Sequence, residues 1–129
     1  MPSIAALPLG VAKPPFKLLL IPHGGPHHRA TSGAGFDTQI FATRGYAVFQ
    51  PNFRGSQGLG HRLFTSSFRK LGQEMQDDVT DGVRHLIERG VVDRDRVCIG
   101  GGSYGGYATL QGLVREPAMF KCGIAVAAV

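Results

Sequence analysis

The chain has 129 residues, is 43% hydrophobic and 18% charged, and carries a formal net charge of +5. That length suits one domain or part of one, and the excess of apolar over charged residues excludes a disordered chain. No apolar run reaches the length of a membrane span. The opening MPSIAALPLGVAKPPF lacks the basic start and unbroken apolar stretch of a secretory leader, which favours the cytoplasm.

In chain order, residues 1–15 read as a lead-in. FKLLLI (16–21) is a continuous apolar run stopped by Pro22, as suits a strand buried on both faces. GFDTQIFATRG (35–45) predicts a short helix with Gly45 at its C-terminal end. YAVFQ (46–50) is a second strand, again followed by proline, and NFRGSQGLGHRLF (52–64) is a glycine-rich loop. A long helix is predicted from about Gln73 to Arg89. Met75, Val79, Val83, Leu86 and Ile87 fall on one face of it, and Gly90 closes it. DRVCIG (95–100) is the third strand, residues 104–115 a helix ended by Pro117, and CGIAVAAV (122–129) the fourth strand. Alternation of buried strands with helices implies an α/β fold, a parallel, doubly wound sheet of about four strands with helices on both faces.

Two side features read blandly. The basic residues His61, Arg62, Arg69 and Lys70 enclose Phe64 and Phe68, a pattern that could suit nucleic acid. A solvated loop with aromatics docked on the core explains it better, so no nucleic-acid partner is expected. The two cysteines, Cys98 and Cys122, lie in apolar runs and read as small buried hydrophobes rather than a disulfide or half a metal site.

The chemistry concentrates in VCIGGGSYGGYATL (97–110), where Gly101-Gly102-Ser103-Tyr104-Gly105 forms G-x-S-x-G between a strand and a helix. A nucleophile elbow needs this setting. The turn is sharp, the serine is strained and lifted above the sheet, and only very small residues fit at 101 and 105. The helix N-terminus that follows offers free N–H groups to a developing oxyanion. Gly100-x-Gly102-x-x-Gly105 also spells a dinucleotide fingerprint, but no acid follows about 20 residues on, where that motif needs one. A phosphate loop fails for lack of G-K-[ST], and a bare glycine turn leaves the serine unexplained. After the first strand, IPHGGPH (21–27) places His23-Gly24-Gly25-Pro26 where an α/β-hydrolase takes its second oxyanion donor. The candidate donors are the backbone N–H groups of Gly25 and Tyr104, with His23 shaping the glycine turn. His23, His27 and His28 lack a Cys or carboxylate at ligand spacing, so neither a metal nor another cofactor is expected.

Together, PHGGP (22–26), GYAVFQPNFRGSQGLG (45–60), QDDVTDGVRHLIERGVVDRDRV (76–97) and GGSYGGYATL (101–110) resemble the catalytic domain of the prolyl oligopeptidase family of serine peptidases, in its dipeptidyl-aminopeptidase and acylaminoacyl-peptidase branches. The resemblance implies that Ser103 is the nucleophile and that Tyr104 and Gly25 supply the oxyanion hole. It also implies that the strands lie in the order second, first, third, fourth, with the earlier strands of the hydrolase sheet missing. Arg54, in PNFRGS, is expected in a structural salt bridge. Asp77, Asp78 and Asp81 sit near a helix start, where the dipole favours them.

The family's triad runs Ser, Asp, His, yet no Asp or His follows Ser103, and the five histidines all precede it. Residues 16–129 are therefore expected to be a truncated α/β-hydrolase domain, inactive alone. The remainder of the catalytic domain, a β-propeller and a small peptide substrate are expected as its partners, with no membrane involved. A non-catalytic α/β binding module, a dinucleotide-binding domain and an esterase or lipase of the same fold are the alternatives.

Overall fold

In the computed structural model, residues 1–10, 12–33 and 35–129 are described. The elements are β1 (Ser3–Ala6), β2 (Phe16–Leu20), α1 (Phe36–Ala42), β3 (Tyr46–Pro51), α2 (His61–Thr65), α3 (Glu74–Glu88), β4 (Val92–Gly102), α4 (Tyr104–Arg115) and β5 (Cys122–Val126). They build a five-stranded sheet in the order β1-β3-β2-β4-β5. The four strands expected from the apolar runs are parallel and in the expected order.

The sheet is nevertheless mixed, which corrects the all-parallel reading. β1 lies antiparallel on the outer edge of β3, with Ser3 opposite Pro51 and Ala6 opposite Val48. Its four residues alternate between exposed and half-buried, too short and too weakly apolar a pattern to stand out in sequence. The segment 1–15, read as a lead-in, thus contributes an edge strand. A second correction concerns 52–64: its last residues start α2, a single short helix.

β4 begins earlier than the run 95–100 suggests. Val92 pairs with Phe16, the register then shifts, and the ladder resumes with Val97 opposite Leu18. The intervening polar residues close on themselves, with the Arg96 guanidinium donating to Asp93 at 2.8 Å.

Alternation along β2 and β4 decides what each face buries. Leu18, Leu20, Val97 and Ile99 are 0% exposed and join Met75, Val79 and Val83 of α3 and Ala108 of α4 in one core. The opposite face carries α1. There Leu19, Ile21, Gly100, Gly102, Ile124 and Val126 line an apolar cleft of about 400 Å³ with Phe41 and Asp37.

The cysteine reading is overturned. Cys98 and Cys122 are register partners across β4 and β5 and are joined as a disulfide, with Cα atoms 4.8 Å apart. Two Cys at one ladder position on neighbouring strands fall within bridging range without backbone movement. Cys122 is also exposed rather than buried.

Candidate active site

β4 runs straight into α4 with a single residue, Ser103, at the bend. Its backbone is held at φ 55° and ψ −121°, a region that L-residues other than glycine occupy only under strain. The neighbours explain how the bend is tolerated. A Cβ on Gly101 would lie 2.8 Å from the Gly105 carbonyl carbon, and one on Gly105 would run into the Pro22 carbonyl oxygen. Strand, helix and the 22–26 loop therefore meet where only hydrogen atoms fit. Ser103 itself is exposed at the sheet's C-terminal end. Its N–H donates to the Val126 carbonyl at 3.0 Å, so β5 props the bend from the side.

The 22–26 loop comes to the serine. A Cβ on Gly24 would sit 3.7 Å from the Ser103 Cβ and 3.5 Å from the Gly102 oxygen. Gly25 has φ 118°, and a side chain there would press on His28 N at 2.6 Å. The loop is fixed by its histidines. His23 stacks on Phe53, ring centroids 4.3 Å apart. It hydrogen-bonds the Gly24 carbonyl through Nδ1 at 2.8 Å and the Ser56 hydroxyl through Nε2 at 2.7 Å. Burial pulls the His23 pKa below its ordinary value, against the opposing pull of the Gly24 carbonyl. His27 donates from Nδ1 to the Gly55 carbonyl at 2.9 Å, and its ring leans on Phe64.

Tyr104 opens α4 with its side chain buried against Phe53 and Tyr107. Burial pushes its phenol up to about 12, so the group stays protonated and faces the core. What Tyr104 offers outward is its backbone at the first turn, where helical N–H groups have no intrahelical partner. Arg54, from the same loop as Ser56, is bound to Asp78 of α3. Its Nε and Nη2 donate to the two carboxylate oxygens at 2.8 Å each, and its N–H donates to Oδ2 at 2.9 Å. This is the structural ion pair expected of it.

Every site residue named from the sequence thus converges on one end of the sheet. Sequence reasoning passed over Ser56, which is fully buried, and Val126, which acts through its carbonyl. Ser56 carries a legible signal, its place in PNFRGS. Val126 carries none, because a backbone acceptor leaves no trace in residue type. Among the described residues, no side chain hydrogen-bonds the Ser103 hydroxyl, and no three His, Cys, Asp or Glu side chains cluster as a metal would need.

The prolyl oligopeptidase family profile matches residues 32–129. The chain belongs to the prolyl oligopeptidase family. Dipeptidyl aminopeptidase BIII of Pseudoxanthomonas mexicana is 45% identical over 115 residues, covering 89% of this chain and 17% of that protein. Dipeptidyl peptidase family member 6 of Caenorhabditis elegans is 40% identical over 110 residues, 85% of this chain and 15% of its own. The acylaminoacyl peptidase of Pyrococcus horikoshii superposes with a TM-score of 0.87 at 28% identity, over 98% of this chain and 21% of that one. The chain therefore spans about a fifth or less of the length of these family members. Its fold is that of their α/β-hydrolase domain.

Proposed function

We propose that this chain is the nucleophile-bearing part of a serine peptidase acting on small peptides. Ser103 attacks the carbonyl carbon of the scissile bond. The negative charge that develops on the carbonyl oxygen is met by the N–H groups of Tyr104 and Gly25. The serine proton passes to a histidine oriented by an aspartate, both from polypeptide outside these 129 residues, and then to the leaving amine. Water completes the cycle by hydrolysing the acyl-enzyme. Alone, the chain has a nucleophile without a base and shows little or no turnover. The rest of the catalytic domain supplies the triad, and a β-propeller restricts entry to short peptides. Residues 16–129, with the β1 edge strand (Ser3–Ala6) laid on β3, are the share of the hydrolase domain present here. A cytoplasmic setting would keep Cys98 and Cys122 reduced, so their state in the cell reports the compartment.

The observation that carries this reading is the strained Ser103 bend, φ 55° and ψ −121°, with Gly24 packed against it. The test supplies what the chain lacks: residues 16–129 are grafted into dipeptidyl aminopeptidase BIII in place of the matching segment. The chimera is expected to release a chromogenic dipeptide substrate, and Ser103→Ala to cut kcat by about a million-fold, as removal of a triad serine does. A folded chimera that fails to react with a fluorophosphonate would overturn the assignment.

A further inference from the structure

The hydrogen bonds around His23 fix where its proton lies. A carbonyl oxygen only accepts, so Nδ1, 2.8 Å from the Gly24 oxygen, must carry a hydrogen. In the neutral ring Nε2 is then an acceptor, and the Ser56 hydroxyl 2.7 Å away must donate to it. Ser56 Oγ also lies 2.7 Å from the Phe53 carbonyl, but one hydroxyl has one hydrogen. Turning that hydrogen to His23 leaves the Phe53 carbonyl the Ser56 N–H as its donor at 3.1 Å, at the cost of an Oγ–carbonyl contact that must then lengthen.

The consequence reaches the proposed oxyanion hole. The Gly24 carbonyl and the Gly25 N–H belong to one planar peptide unit and point in opposite directions. Holding the carbonyl on His23 therefore aims the N–H. With glycine on both sides of that peptide, nothing in the local backbone would otherwise stop it from rotating.

We propose that Ser56 and His23 are a positioning pair: the Ser56 hydroxyl donates to Nε2, keeps the proton on Nδ1, and so fixes the peptide plane that presents the Gly25 N–H. This rests on the serine-peptidase reading for its purpose but not for its geometry. Protonation leaves the loop bonded: Nε2 then donates to Ser56, whose hydroxyl turns to the Phe53 carbonyl. The charged and titratable groups around the ring are few. His28 is close enough for its charge to act on it, Arg29 lines with His23 a cleft that also takes in Ile21 and Thr38, and Arg54 is tied to Asp78. The lowered pKa of His23 agrees with a neutral ring that receives rather than gives at Nε2.

The test is a long-range proton–nitrogen NMR spectrum of the histidine-labelled chain, titrated in wild type and in Ser56→Ala. The expected result is a hydrogen-bearing Nδ1 and a bare Nε2 at neutral pH. Loss of the hydroxyl donor should erode the preference, so that hydrogen appears on Nε2 in a share of the neutral rings of Ser56→Ala. In the wild type a hydrogen on Nε2 or a ring with no preferred tautomer, or in Ser56→Ala an unchanged tautomer, overturns the proposal. The grafted enzyme separates the two ideas. There Ser56→Ala should slow fluorophosphonate labelling about tenfold or more, a fraction of what loss of a whole oxyanion donor costs. An unlabelled parent chimera contradicts the role of Ser103, while the tautomer still decides that of Ser56.

Discussion

Glycine 105 shows how far a single residue sets the geometry. A methyl group there meets the Pro22 backbone, which has no flexible end to swing away. Gly105→Ala should cost about 3 kcal/mol in urea denaturation, at the upper end of overpacking penalties, and should displace Ser103 from the 22–26 loop. His23 carries the pH dependence at this scale. Unfolded, its ring binds a proton near its ordinary value of about 6.5; folded, burial holds it neutral to a lower pH. Between those two values the unfolded chain binds more protons. Stability should therefore be complete above pH 6.5 or so and fall as the pH drops toward the folded value. Urea midpoints measured from about pH 7.5 to 5 should show that slope, and His23→Gln should flatten it. The site residues named from G-x-S-x-G and H-G-G-P were legible because steric exclusion selects glycine so sharply. Ser56 was marked only by its place in PNFRGS; that its hydroxyl meets His23 was not legible, since that depends on how two loops 33 residues apart pack.

At the scale of elements, α3 is the scaffold on which the 52–56 loop hangs. Its Met75, Val79 and Val83 stripe is buried at 1% exposure or less, as the helical period required. Asp78, one residue off that stripe, takes three donors from Arg54. The pair is partly solvated, with side chains 30% and 19% exposed, so solvent screens it and it holds position more than it adds stability. Arg54→Ala is expected to cost about 1–2 kcal/mol, mostly through the carboxylate left without its partner. Asp78→Ala in the same background should recover part of that loss, as a double-mutant cycle would show. The acids of α3 were legible as a group favoured near the helix start. Which of them would reach a loop 24 residues away was not, because that depends on how the helix sits on the sheet. Asp77 goes to Arg115 and Asp81 to Arg84 instead.

Over the whole molecule, the disulfide is the largest departure from the sequence reading. It links β4 and β5, 24 residues apart in sequence, and β5 in turn holds the Ser103 N–H through Val126. Closing a loop of that size removes about 3 kcal/mol of unfolded-chain entropy in the simple model. Reduction with a phosphine should lower the thermal midpoint accordingly, and a mass gain of about two hydrogens would verify the bond. An unchanged midpoint after full reduction would show that β5 is held by its ladder alone. Two cysteines in apolar runs read naturally as buried packing. Only the register, which puts residue 98 opposite residue 122, brings the sulfurs together.

The sequence by itself determined the parallel part of the sheet, the helices α1, α3 and α4 and the bend at Ser103. Each follows from local sterics or from a hydrophobic period repeated along a short stretch. Tertiary structure alone decided the antiparallel edge strand, the sulfur pairing, the Ser56–His23 contact and the grip of β5 on the bend. These depend on residues 23 to 48 positions apart meeting across strand and loop register, and register is set by how whole elements pack rather than by any residue's own preference.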